Sequence, residues 1–136
     1  MRVLALDYGS ARCGCAISDR SGTLATPLSA IERAPTRRGL AALARLVEAE
    51  SAERVVVGLP LTLEGGEGEQ AAQTREFAEA LRRRVRVPVE FHDERLTTRQ
   101  AERTGRESGS SADPDSIAAA HLLESYLAVQ LGGGQG

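Results

Sequence analysis

The amino-acid sequence predicts an α/β fold: a mixed five-stranded sheet, an antiparallel meander followed by parallel strands, with helices on both faces. Two observations carry that expectation. The first third of the chain holds three apolar runs joined by turns too short for a crossover, and the remainder alternates helical periodicity with short β-rich runs. The 136 residues suffice for one domain with its own core, expected over 1–131, with 132–136 as a flexible glycine-rich tail.

Each element has its own warrant. "RVLALDYG" is an unbroken apolar run stopped by Asp7 and Gly9, as expected of a central strand buried on both faces. "RCGCAISD" follows a tight turn as a second strand, with Cys13 and Cys15 on one face as packed core thiols. "GTLATPLSAI" is the third, and Pro27 marks it as an edge strand or a bulged one. Thr36 opens a helix with Leu40, Leu43 and Val47 on one side. "RVVVGLP" is a buried strand, and "TLEGGEGEQ" a polar loop that either closes over substrate or merely connects. A helix over about Gln70 to Arg84 presents Thr74, Phe77 and Leu81 inward, and "VPVEFHD" is the last strand. Thr97 and Gln100 have capping-box spacing for a helix after "DERL". Beyond "GRESGSSADP", Asp113-Pro114 opens a final helix running to about Leu131.

Composition narrows the function classes. Net charge is −2, so the chain does not announce itself as a nucleic-acid binder. All 17 basic residues are arginines, whose forked guanidinium grips phosphate oxygens in pairs. Aromatic residues are only 3% of the chain, so recognition is expected of backbone and shape, with little base stacking. Two cysteines at spacing two make neither a disulfide framework nor a zinc site. No apolar run approaches the ~20 residues of a membrane span, and the N-terminus does not read as a signal peptide, so a cytoplasmic address is expected.

In mixed sheets of this kind chemistry gathers beyond the carboxyl ends of the parallel strands. Asp7 ends the first predicted strand, and Asp93-Glu94 end the last. Adjacent strand residues face opposite ways, so at most one of that pair joins Asp7. The longer reach of Glu94 favours it, while Asp93 braces the turn or Arg95. Asp115 lies in the first turn of the final helix, where the helix dipole alone would explain it. Ala118 and Ala119 on the same face let that helix lie close to the sheet, which brings Asp115 towards the strand ends. Carboxylates gathered from separate elements repel unless a cation lies between them. Oxygen donors with no histidine–cysteine cluster select Mg²⁺ or Mn²⁺, and two such ions can drive phosphodiester hydrolysis.

"LALDYGSARCGCAISD", "VVVGLPL…EGGEG", "DERLTT" and "DSIAAAHLLESYL" together resemble the YqgF (RuvX-like) family, in the right order and over almost the whole chain. The family is similar to Holliday junction resolvases of the RNase H-like superfamily. The resemblance implies an RNase H-like sheet and a two-metal endonuclease. It also implies Asp7, Asp93, Glu94 and Asp115 as catalytic and metal-binding residues. The expected activity is processing of the 5′ end of pre-16S rRNA in ribosome biogenesis. The alternative is resolution of four-way DNA in recombination, which calls for a homodimer where RNA cleavage needs only a monomer. Arg12, Arg95, Arg99 and Arg103 are the candidate nucleic-acid contacts, with Arg106 farther along the same helix. The chain departs from many relatives of that family in having Ala11 before Arg12. Its "SGSSADP" also carries no positive charge before Asp115, which keeps open a non-catalytic RNA-binding module.

Overall fold

A computed structural model describes residues 1–62, 66–97 and 113–133, with the side chains of 96–97 and 131–133 left aside. Strands β1 (Val3–Asp7), β2 (Arg12–Ser18), β3 (Ala25–Pro27) and β4 (Ile31–Glu32) come first. Helix α1 (Arg37–Ala49), strand β5 (Arg54–Leu59), helix α2 (Glu69–Arg82) and strand β6 (Val89–Asp93) follow. A 3-10 turn (Glu94–Thr97) and helix α3 (Pro114–Gly133) complete the described chain. The sheet order is β3-β2-β1-β5-β6, with β4 also pairing β2. β1 runs antiparallel to β2 and parallel to β5, and β5 runs parallel to β6.

The expected mixed sheet is therefore present, but its third strand is two. Ala25–Pro27 pairs with Ala16–Ser18, and Ile31–Glu32 pairs with Arg12–Cys13. Pro27 has no N–H to give to a ladder, and the chain leaves the edge just after it before rejoining. The preceding turn is held by Asp19, which accepts hydrogen bonds from the amides of Thr23 and Leu24. These bonds, with that from Ser21, hold its carboxyl well below the usual range. The final helix runs from Pro114 to Gly133.

Strand alternation divides the core in two. Leu4, Leu6, Cys13, Cys15, Val55 and Val57 face α1 and α2, meeting Leu43, Phe77 and Leu81. Val3, Ala5, Ala16 and Val56 face α3, meeting Ala119, Leu122, Leu123 and Tyr126. Both cysteines are fully buried among the first group, as the sequence predicts. By the same period, Asp7 projects towards α3. α1 begins as expected at Thr36, whose hydroxyl accepts from the Gly39 amide at 3.1 Å. Among the described residues no helix is long and apolar enough to cross a membrane.

Candidate active site at the carboxyl ends of the strands

A close backbone approach and several side-chain hydrogen bonds hold the last helix on the α3 face of the sheet. Gly14 stands opposite Asp7 in the β1–β2 ladder. A Cβ there would lie 1.8 Å from the carbonyl oxygen of Asp115 and 2.9 Å from the Ser116 nitrogen. Only glycine lets the first turn of α3 rest directly on β2. The Cys15 amide then donates to the Ser116 hydroxyl at 3.2 Å, so the contact is pinned by a buried hydrogen bond. Asp113 caps the helix, accepting from the Asp115 amide at 3.1 Å. Farther along, Tyr126 accepts from Arg54 at 2.8 Å and donates to Glu90 at 3.0 Å, tying α3 to β5 and β6.

Gly58 performs a similar service on the other side. The β1–β5 register pairs Leu6 with Val57, and one further step brings Gly58 beside Asp7. A Cβ on Gly58 would sit 3.5 Å from Glu94 Oε1 and 3.2 Å from Leu122. Asp7 is thus flanked by glycines on both neighbouring strands, and the carboxylate of Glu94 lies over the vacant side of one of them. Gly9 allows the turn that follows, since a Cβ there would meet the Arg12 carbonyl at 2.7 Å. Tyr8 fixes that turn by stacking on Phe77 with ring centroids 4.3 Å apart.

Asp7, Glu94 and Asp115 consequently converge. Burial pushes the Asp7 carboxyl from 3.8 up to about 8, helped by a hydrogen bond with Glu94 and by the charges of Glu94 and Asp115. Asp93 goes elsewhere. Its neighbour His92 points to α3, where Nε2 meets the Ser125 hydroxyl at 2.9 Å. Asp93 faces the opposite side and binds Arg95, which donates at 2.7 Å from its guanidinium and at 3.0 Å from its backbone amide. That pairing holds the Asp93 carboxyl below its ordinary value.

The arginines expected at the site separate likewise. Arg12 reaches it, with Nη1 3.8 Å from Asp113 and 4.0 Å from Asp115. Arg95 is engaged by Asp93 and by the Thr62 carbonyl at 3.2 Å. Arg99, Arg103 and Arg106, with the expected capping pair at Gln100, lie outside the described residues. Of the glycine loop, Gly66 is held by Thr62 through two hydrogen bonds, and Glu67 is paired with Arg75 of α2. His121 is buried in α3, and among the described residues neither ring nitrogen has a hydrogen-bond partner.

Beside Glu94 opens a cleft of about 300 Å³, lined by Ser10, Gly58, Gln70, Gln73 and Thr74 among others. Sequence reasoning missed Gly14, Gly58 and Ser116. The signal for Gly14 was a glycine inside a strand, "RCGCAIS", which often marks close backbone approach.

The donor set suits a hard divalent cation. It is all oxygen and drawn from three elements, and burial together with the neighbouring Glu94 and Asp115 carboxylates raises the Asp7 carboxyl. Among the described residues the side chains do not already form a closed group of three or more metal-holding donors. The fit therefore rests on donor chemistry and convergence, with no preformed cage.

Residues 1–129 match the family described as RuvX, Holliday junction resolvase. A Chloroflexus aurantiacus protein named "Putative pre-16S rRNA nuclease" is 43% identical over 130 residues, covering 92% of this chain and 85% of that protein. A Syntrophomonas wolfei protein of the same name is 39% identical over 132 residues, covering 93% and 94%. Among solved structures, Thermus thermophilus RuvC bound to a Holliday junction superposes with a TM-score of 0.65 at 15% identity, covering 97% of this chain and 96% of that one. At that identity the likeness speaks for the fold alone.

Proposed function

The chain belongs to the RuvX family, and from that premise we propose that it is a metal-dependent endonuclease hydrolysing phosphodiester bonds, with the 5′ end of pre-16S rRNA as its substrate. The observation that carries this reading is the convergence of Asp7, Glu94 and Asp115 beyond the strand ends. Asp7, Glu94 and Asp115 would hold Mg²⁺ or Mn²⁺, which when bound supplies an activated water and charge neutralisation at the leaving oxygen. One ion or two would serve the same donors.

The remaining residues act on position and charge. Arg12 sets a positive charge beside Asp113 and Asp115. Asp93 orients Arg95, which in turn ties the Thr62 loop to the strand end. Gly14 and Gly58 clear the approach on either side of Asp7, and the cleft beside Glu94 offers neutral amides to a sugar or base next to the scissile phosphate. No side chain is needed as a covalent nucleophile.

A second reading, resolution of four-way DNA junctions, is favoured by the family's description. Both are tested in one assay. Purified protein with Mn²⁺ is given a pre-16S leader RNA and a four-way DNA junction at equal concentration. Cleavage of the leader in preference to the junction supports the first reading, and paired symmetric nicks in the junction support the second. A folded, metal-loaded protein that cuts neither would be a binding module.

A further inference from the structure

A second concentration of arginine lies on the α1–α2 side of the sheet, next to the carboxyl ends of the strands. Arg33, Arg38 and Arg45, with Glu32, Thr36 and Ala42, line a groove of about 610 Å³ between β4 and α1. Arg33, Arg37, Arg38 and Arg45 are all exposed. Among the described residues none of the four has a carboxylate within ion-pair distance. The groove also adjoins the acidic site. The Arg33 amide donates to the Ala11 carbonyl at 2.9 Å, and Glu32 stands opposite Arg12, whose guanidinium reaches Asp115.

Local structure does not explain these arginines; it opposes them. Arg37 and Arg38 occupy the first turn of α1, which contains no acid. The helix dipole disfavours cations there. Arg33 is held in the left-handed region at φ 51, a conformation that side chains other than glycine rarely adopt. Its carbonyl is fixed in place by the amide and hydroxyl of Thr36, at 3.1 and 2.7 Å. The run Arg82–Arg86 makes the contrast. It closes the carboxyl end of α2, where the dipole welcomes cations, and lies towards the amino ends of the strands, beside the start of β5 and the second half of α1.

We infer that the β4–α1 groove is a phosphate-backbone track, gripping the double-stranded arm of the nucleic acid that flanks the scissile bond. This rests on the nuclease reading of the acidic site. Arg38 and Arg45 are seven residues apart on one face of α1, about 10 Å along its axis. That matches about three base steps of duplex rise. Guanidinium groups held along such a line exchange counterions for phosphates, so their contribution is read as salt dependence. The "SGSSADP" stretch before Asp115 carries no positive charge, so phosphate grip falls to arginines elsewhere in the chain.

The test uses the full chain in EDTA and a fluorescein-labelled RNA hairpin of about 20 base pairs. Binding is followed by anisotropy from 50 to 300 mM KCl. The double variant Arg38→Gln/Arg45→Gln is expected to lower the slope of log K against log salt by about 1–2. The double variant Arg84→Gln/Arg86→Gln removes the same charge outside the groove, at the amino-end side of the strands, and is expected to keep the wild-type slope. Melting curves confirm that both variants fold, since all four side chains are exposed. Equal loss in both variants, or loss in neither, would overturn the track while leaving the nuclease reading intact. A wild-type protein with no affinity for the hairpin or for a four-way junction would overturn both.

Discussion

Replacing Asp7 with asparagine should abolish metal-dependent cleavage and yet make the metal-free protein more stable. Asp7 binds a proton in the native state that the unfolded chain releases, because its carboxyl is raised from 3.8 to about 8. A raised folded value contributes stability that is full below the unfolded value and is lost as pH climbs through the folded one. Native metal-free protein should therefore weaken between about pH 4 and pH 8. Each tenfold change in proton affinity is worth about 1.4 kcal/mol, which sets a ceiling of roughly 5–6 kcal/mol on the loss. Asp7 is partly open to solvent, and water relaxing around it reduces this to about 2–3 kcal/mol. Asparagine carries no charge to desolvate and keeps a hydrogen bond with Glu94. In EDTA at pH 8, Asp7→Asn should melt roughly 5–10 °C above wild type, and the two should converge near pH 4. Adding Mn²⁺ should raise the wild-type melting temperature and leave the variant unmoved. A variant that melts at or below the wild type at pH 8, or a difference that persists at pH 4, would refute the crowding of charge around Asp7.

Gly14→Ala should misplace the first turn of α3, because its methyl would meet the Asp115 carbonyl at 1.8 Å. A loss of about 2–4 kcal/mol in urea unfolding, with cleavage reduced far more than by Gly68→Ala, would report it. Gly68 is the control because a methyl there meets nothing within 4 Å. Ser125→Ala should cost about 1–2 kcal/mol by leaving buried His92 without its partner, with cleavage rate per folded molecule nearly unchanged. Burial holds His92 below its ordinary value, opposed only by the charge of Asp93, so it stays neutral in the native state. Stability should fall as the pH drops below about 6.5, where the unfolded chain takes up that proton, and His92→Phe should flatten that limb of the curve.

Much of the fold was legible because its signals are local. The apolar runs of β1 and β5, the proline in the third strand and the Thr36 and Asp113 caps each name their own element. The break of the third strand was half legible: Pro27 announced an irregularity, but re-pairing of Ile31–Glu32 depends on β2 continuing beneath it. The acidic positions were legible through their place at strand ends. The choice of Glu94 over Asp93 rested on side-chain reach alone, while the Asp93–Arg95 pairing depends on how the chain leaves β6. Gly14 and Ser116 escaped because their reason lies 101 residues away in sequence, in a helix that only the folded chain lays across β2. The groove arginines escaped because a helix wheel records their exposure but not which acids, among the described residues, stand within ion-pair distance of them.

The initial rate of Mn²⁺-dependent cleavage of a pre-16S leader RNA, measured for Glu94→Gln beside Asp93→Asn, tests the acidic site most directly. Glu94 shares the α3 side with Asp7, whereas Asp93 is turned to Arg95. We expect folded Glu94→Gln to lose at least ~10³-fold in rate, as a lost donor to a catalytic ion does. We expect Asp93→Asn, acting only through Arg95 and its loop, to stay within ~10–100-fold of wild type. Full activity in Glu94→Gln, or a dead Asp93→Asn beside it, would contradict the site as assembled from Asp7, Glu94 and Asp115.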